Sequence, residues 1–296
     1  MQNYLDLLND VKLYGLDSKD RTGVGTRRLS GALFRHNFSD GFPLMTVKKM
    51  NPNTIFTELE FFIKGYNNKL WLQERKCKIW DEWCSPMKVP YGKDSDTQKL
   101  MKEEEYLGPV YGVNWRHWGT RPKTISTPTG WELSFDDNNR GVDQLFNAVE
   151  TLRKDPTSRR MLVNAWNVEM LNEMALPPCH FAFQLLSDGE NLDLVFYMRS
   201  VDIFLGLPFN IASYAMLTLL IAKTVGMKPR SVIGMLSDAH IYHNHNEQVD
   251  IVLAREPRKL PIIKIPDDVN LWNWTCKDFE ISEYNPHSFV SAPIAI

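Results

Sequence analysis

The chain has 296 residues, 43% hydrophobic and 24% charged, and its 34 basic and 36 acidic side chains leave a net charge of −2. These proportions are ordinary for a globular protein, and the length is sufficient for a core without disulfide or metal staples, in one large domain or two. The balance of charge excludes a polybasic surface as the main business and gives no reason to expect sequence-independent nucleic-acid binding.

In chain order, the start (Met1-Gln2-Asn3-Tyr4-Leu5-Asp6) lacks a basic stretch followed by an apolar one, so no signal peptide is expected. A helix is expected over 53–63, with Gly65 as its stop. Residues 85–105 are polar and charged, and 120–140 carry Pro122, Pro128, Gly130 and Asn138-Asn139. Both read as surface excursions from one domain spanning 1–296, because apolar patterning resumes on either side. After Gly141, the residues Val142, Leu145, Phe146, Val149 and Leu152 follow helical spacing and share one face. Strands are expected over 161–166, 181–186 and 192–198. In the last, Leu192, Leu194, Phe196 and Met198 alternate with Asp193, Val195 and Tyr197. The apolar stretch 203–225 is interrupted by Pro208, Asn210, Ser213 and Lys223 and falls short of a membrane span. Within it a helix over 210–224, apolar all round and therefore buried, should end before Gly226. Successive strands beside long helices predict an α+β fold, and no G-x-G-x-x-G joins a strand to a helix.

The chemistry-bearing residues each admit two readings. Cys77, Cys84, Cys179 and Cys276 include no C-x-x-C pair and suit reduced thiols in the cytoplasm. Cys179 follows two prolines at the entrance to a strand. It is a small buried hydrophobe or a nucleophile whose pKa nearby cations would lower from ~8.5. Arg21 lies in a glycine-rich turn, Arg159-Arg160 precede a strand, and Arg199-Ser200 end another; they are solvated surface or clamps for phosphate. Asn210 is an N-cap, or an amide that reads a carbonyl and an N–H of a heterocycle together. His240, His243 and His245 on a strand would divide between two faces, so hydrogen bonds to a sugar are favoured over a metal. Glu58 is an acid–base group or lies on a solvated face, and Trp80 and Trp83 stack on a flat ligand or pack the core.

Taken together and in order, these segments resemble the thymidylate synthase family. The resemblance covers essentially the whole chain. It runs from Asp20-Arg21-Thr22-Gly23 through Phe42-Pro43-Leu44, Gly108-Pro109-Val110-Tyr111-Gly112, Trp115-Arg116, Leu176-Pro177-Pro178-Cys179-His180 and Leu207-Pro208-Phe209-Asn210-Ile211-Ala212-Ser213-Tyr214 to Ala292-Pro293-Ile294-Ala295-Ile296. It implies one catalytic domain with a mixed β-sheet covered by helices and a homodimer formed sheet to sheet. It further implies that Cys179 adds to C6 of the uracil ring of dUMP, with 5,10-methylenetetrahydrofolate as cosubstrate and no metal.

The resemblance also implies site roles. Arg21, Arg199 and Ser200 would hold the phosphate, joined by Arg159 and Arg160 from the second subunit. Asn210 would read the base, and His240 and Tyr242 the sugar hydroxyl, with His180 and Gln184 completing the polar shell. Glu58 and Tyr111 would serve proton transfer. Asp202, Lys48, Ile79, Trp80, Trp83, Gly206, Phe209 and Ala295 would line the folate site, with Asp202 also binding dUMP and joining Cys179, Glu58, Tyr111, Asn210 and His180 in the catalytic set. Asn114, Ser237 and residues 50–53 depart from the family pattern. A related activity, hydroxymethylation of the nucleotide by water, would use the same groups, and a non-catalytic nucleotide- or RNA-binding relative would keep the same cleft. A Cys-His hydrolase is disfavoured because no orienting Asn or Asp motif stands out.

Overall fold

The computed structural model describes residues 1–294, and Ala295 and Ile296 lie outside the described residues. The chain opens with helix α1 (Gln2–Tyr14) and strands β1 (Leu16–Ser18) and β2 (Thr26–Asn37), followed by helices α2 (Pro52–Ile63), α3 (Leu70–Glu74), α4 (Ser95–Glu103) and α5 (Tyr111–Arg116). A hairpin of β3 (Lys123–Thr127) and β4 (Gly130–Ser134) precedes α6 (Gln144–Lys154) and strands β5 (Leu162–Asn164), β6 (His180–Ser187), β7 (Asn191–Met198) and β8 (Val201–Asp202). Helix α7 (Gly206–Val225), strand β9 (Lys228–Tyr242), helix α8 (Asn246–Leu253) and strands β10 (Ile262–Lys264) and β11 (Glu280–Ser282) complete it.

The main sheet runs β1-β2-β9-β7-β6-β5, with β8 also paired to β9. β9 lies parallel to β7 and β8, while the other pairs are antiparallel, so the sheet is mixed and the fold is α+β. α7 makes the crossover that the parallel step requires. Its twenty residues would be long and apolar enough to cross a membrane by length and composition alone. Here it is a core helix, with twelve side chains buried, including Ile211, Tyr214, Leu217 and Ile221. It begins four residues earlier than its sequence predicts, so Asn210 sits inside the helix and is not its N-cap.

Local chemistry accounts for the helix ends. Asn51 caps α2 by accepting the Asn53 amide at 3.1 Å, and Pro52 occupies the first turn, where no donor is needed. At its other end the Gly65 amide bonds to the Phe62 carbonyl and the Tyr66 amide to that of Phe61, with Gly65 at φ +72°. This is the Schellman arrangement that glycine favours. Asp143 caps α6 through the Phe146 amide, leaving Val142 outside the helix in a bridge to Trp118. Val142 and Phe146 are exposed, against the five-residue apolar face expected; Leu145, Ala148, Val149 and Leu152 form it instead.

The two polar segments contain more order than their composition suggests. Residues 120–140 carry the β3–β4 hairpin, docked by the buried Asn67, whose side chain donates to the Pro122 carbonyl and accepts the Thr124 amide. Residues 85–105 carry α4, which buries Met101. The expected strand around the histidines ends at Tyr242, and His243–His245 form a 3₁₀ turn. Apolar side chains from Tyr4 to Val290 join in one continuous cluster.

α2 and α5 approach so closely that a Cβ on Gly112 would lie 2.4 Å from the Phe62 carbonyl oxygen and 2.6 Å from its Cα. Both obstructing atoms are backbone and cannot swing aside. Gly112→Ala should therefore destabilise the fold by about 1–3 kcal/mol, read as a lowered thermal midpoint. An unchanged midpoint would mean that the two helices can separate freely.

Candidate active site

The loop that carries Cys179 is held from two sides. The Cys179 amide donates to the Tyr111 hydroxyl at 2.9 Å. Arg199, at the end of β7, donates to the carbonyls of Pro178 at 2.9 Å and Pro177 at 2.8 Å, and its guanidinium lies 3.9 Å from the Cys179 sulfur. The thiol thus has a cation beside it, as the sequence suggests, but the net effect differs from expectation. Burial pushes the Cys179 pKa up, outweighing the opposing influence of Arg199 and the Tyr111 hydroxyl.

Behind the thiol stands an aromatic wall. The His180 ring stacks on Tyr111 with centroids 4.1 Å apart, and its Nδ1 lies 2.8 Å from the Tyr214 hydroxyl. Burial lowers the His180 pKa to about 3, so this imidazole is neutral near neutral pH. Tyr111 is likewise driven far above its ordinary value, chiefly by burial and then by the nearby Cys179. Tyr214 was not among the residues the sequence singled out by role, although it closes the quoted Asn210–Tyr214 motif.

Glu58 joins this cluster from α2. Its Oε1 accepts the Trp80 indole N–H at 2.8 Å, and burial raises its pKa to about 7 despite that hydrogen bond. Of the two readings of Glu58, the acid–base one therefore has the surroundings it needs. Trp80 is nearly buried and Ile79 beside it is 38% exposed, whereas Trp83 packs against Tyr91 with centroids 6.0 Å apart. Lys69, not among the residues the sequence singles out, organises this loop. Fully buried, its ammonium donates to the carbonyls of Asp81, Trp83 and Met101 at 3.2, 3.1 and 2.8 Å.

A second group gathers on β8, β9 and the start of α7. Asp202 pairs in register with His240, and Asp202 Oδ1 accepts the Phe204 and Leu205 amides at 2.8 and 3.1 Å. Its Oδ2 is not taken up by these bonds. His240 Nδ1 lies 2.9 Å from Asp238, which also pairs with Arg28, and the Tyr242 ring is 5.2 Å from that of His240. Burial raises the pKa of Tyr242, and the Asp202 carboxylate adds to that rise. Gly206, Phe209 and Asn210 occupy the first turns of α7, partly exposed, close to Asp202.

Other expected site residues stand apart. Arg159 and Arg160 are exposed before β5, and Gln184 touches them only by donating to the Arg159 backbone carbonyl at 2.9 Å while accepting from the Tyr197 hydroxyl. Ser200 is partly exposed in the turn before β8. Lys48 turns inward: its ammonium donates to the Phe204 carbonyl and lies 3.8 Å from the centre of the Phe204 ring, and burial lowers its pKa to about 8. Ala295 lies outside the described residues.

Two of the departures from the expected pattern have structural roles. Asn114 is buried, donating to the Pro109 carbonyl at 2.5 Å and accepting from Asn167. Asn51 is the α2 cap, and Ser237 is exposed on β9.

The family model for thymidylate synthase matches residues 2–296. The chain belongs to the thymidylate synthase family. This family uses methylenetetrahydrofolate as a cosubstrate and binds dUMP, and its membership marks the chain as a one-carbon transferase. The residues fit such a cosubstrate: Asp202 Oδ2 can accept an N–H of a heterocycle, and Ile79 offers an exposed apolar surface beside Trp80.

The raised Glu58 pKa carries a stability consequence whose sign is fixed. The ordinary value is 4.5 and the folded value about 7, so the folded state binds the proton more tightly. The resulting stabilisation is complete below the ordinary value and is lost as pH rises through the folded one. Glu58→Gln keeps an acceptor for Trp80 and cannot ionise. Its stability advantage over the parent should grow by about 2–3 kcal/mol between about pH 5 and about pH 8. Thermal denaturation across that range reads the difference, and a constant gap would contradict the raised pKa.

Proposed function

We propose that this protein is a thymidylate synthase, converting dUMP to dTMP by reductive methylation. The observation that carries the reading is the meeting of Arg199 and Tyr111 at Cys179, with the Glu58–Trp80 pair packed behind the Tyr111 ring, within a chain that belongs to the family along its length.

In this reading the Cys179 sulfur adds to C6 of the uracil ring and its electron pair passes to C5. Burial favours the protonated thiol, so deprotonation accompanies the arrival of substrate, with Arg199 stabilising the thiolate. The Asn210 amide accepts the N3–H of the ring and donates to O4, which favours uracil over cytosine. Arg21, Arg199 and Ser200 bind the phosphate, while His240 and Tyr242 bind the sugar hydroxyl. Glu58, with its pKa near neutrality, and Tyr111 relay protons at the ring; His180 and Gln184 complete the polar shell. The folate supplies the one-carbon unit and the hydride. Asp202 orients it, Ile79, Trp80 and Phe209 cover it, and Gly206 leaves room for it, while Lys48 and Trp83 support this pocket from behind. C5 would bond to the one-carbon unit as a carbon–nitrogen bond of the folate opens; loss of the C5 proton to Tyr111 would expel the remaining folate nitrogen, the hydride would complete the methyl group, and Cys179 would leave C6 as the C5–C6 double bond re-forms.

A homodimer across the open face of the sheet is part of this proposal. Leu33 and Met235 are cross-strand neighbours there, and 53% and 44% exposed. Exposed apolar neighbours of this kind suit a partner surface. Arg159 and Arg160, exposed beside that sheet, would then reach the phosphate of the partner's site.

Hydroxymethylation differs only in the last step, where water adds in place of hydride. The buried Trp80, hydrogen-bonded to Glu58, favours exclusion of water and so the synthase.

Incubation with dUMP and 5,10-methylenetetrahydrofolate, with mass analysis of the nucleotide and absorbance of dihydrofolate, tests the reading. Thymidylate with an equal amount of dihydrofolate is expected, and Cys179→Ala should lower kcat by at least about 10³-fold, the scale of losing a nucleophile. A hydroxymethyl nucleotide without dihydrofolate would establish the other reaction. Binding of dUMP with no product would leave only a nucleotide-binding role.

A further inference from the structure

Residues 85–105 take no part in the reaction above, yet they tie together the two segments that lead to its central groups. Tyr91 is the tie. Its hydroxyl lies 2.6 Å from the Cys84 carbonyl oxygen and is also hydrogen-bonded to the Ala175 carbonyl. Carbonyls only accept, so the single phenol proton is donated to both and shared between them. Desolvation raises the Tyr91 pKa, so the hydroxyl keeps that proton. Beside this bridge the Ser85 hydroxyl donates to the Glu173 carbonyl at 2.9 Å, and the Ala175 amide donates to the Leu107 carbonyl at 2.8 Å.

On one side of the tie, Cys84 closes the turn that carries Trp80. The Trp83 amide donates to the Trp80 carbonyl at 3.1 Å, and the Lys69 ammonium holds the carbonyls of Asp81 and Trp83, so the turn is one stiff unit. The same ammonium takes the Met101 carbonyl in the last turn of α4, where a helix leaves carbonyls unpaired and favours a cation. The excursion therefore grips the Trp80 turn twice, through Met101 and through Tyr91, whose ring also packs edge-on against Trp83. On the other side, Met174 and Ala175 are buried and run into the stretch 177–179 that Arg199 and Tyr111 clamp. That side is the fixed anchor. Without the shared proton, two carbonyl oxygens would face each other with no donor between them, which pushes the segments apart. The Trp80 turn is the one free to yield, and what it would loosen is the 2.8 Å bond from Trp80 to Glu58.

We propose that Tyr91 is a positioning residue: by donating to both Cys84 and Ala175 it seats the Trp80 turn against the segment leading to Cys179, so that the Trp80 indole stays on Glu58. The inference rests on the synthase reading for its effect on rate, and it gives the excursion a part in the active site.

Tyr91→Phe tests it, because the ring stays on Trp83 and only the oxygen is lost. The first readout needs no turnover. It is solvent exchange of the Trp80 indole proton, followed at the indole resonance that Trp80→Phe abolishes; Tyr91→Phe should speed it by at least about tenfold. The second is kinetic, with dUMP and 5,10-methylenetetrahydrofolate. Tyr91→Phe should lower kcat/KM for the folate by at least about tenfold when Trp80 is present and by less than about threefold in the Trp80→Phe background, with the Kd for dUMP alone within about twofold of the parent. An equal penalty in both backgrounds overturns the proposal. So does a lowered thermal midpoint with exchange and kinetics unaltered, the mark of a merely structural tie. If the parent forms no product, the synthase reading fails and the indole exchange decides this inference by itself; product formation with unaltered exchange overturns this inference alone.

Discussion

The clamp on the backbone at residues 177–179 is the constraint from which the rest of the site follows. Two carbonyls donated to by one guanidinium and one amide bound to a buried hydroxyl leave the loop little freedom. Arg199 and Tyr111 come from different parts of the chain, the end of β7 and the first turn of α5. Each therefore needs its own element correctly placed before the clamp can close. The tight crossing of α2 and α5 at Gly112 sets Tyr111, and the β6–β7 pairing sets Arg199 next to the loop. Catalytic geometry is in this sense a by-product of packing decided elsewhere.

Desolvation is the common electrostatic theme. For Cys179, Glu58, Lys48 and His180 burial is the largest influence, and in each case it favours the neutral form. These four groups thus have their charges suppressed rather than displayed. A ligand that brings its own charge changes this balance: a bound anion strengthens the cationic side, and donors directed at the carboxylates favour their ionisation. Such a site responds to its substrates as charged species while contributing little field to the surroundings, which agrees with the near-neutral chain.

Legibility in the sequence tracked the range of the interactions. Helices α2 and α7 and strands β6 and β7 were visible because their patterns are local and nearly unbroken. β2 and β9, the longest strands, were not. Arg27, Arg28 and Gly31 interrupt the first, while Ser237 and Asp238 interrupt the second, so neither alternates cleanly. α6 was visible, but its cap at Asp143 excluded Val142 from the apolar face, a displacement that depends on a single side chain. Among site residues, Cys179 stood out through its prolines and Glu58 through its apolar neighbours. Lys69 did not, because its partner carbonyl at Met101 is long-range in sequence. Lys48 was legible as a position but not as an orientation, since its inward turn depends on the Phe204 carbonyl and ring.

The two halves of the site, the thiol with its aromatic wall and the row Asp202, His240 and Tyr242, are joined by β9, which pairs parallel with both β7 and β8. β9 runs beside both β7 and β8, so a single strand registers Met198 against Leu236 and Asp202 against His240. Side chains alternate along a strand, and a slip of one residue would turn His240 and Tyr242 to the opposite face. What prevents the slip is the crossover itself. α7 is buried along most of its length and fixed at its start by the two amides on Asp202 and at its end by the left-handed Gly226. Asp202 therefore has a structural duty on one oxygen, while the other is free of those two bonds. A substitution that removes the carboxylate would disturb the start of α7 and the position of Asn210 within it, so chemistry and fold meet at this residue and cannot be varied separately.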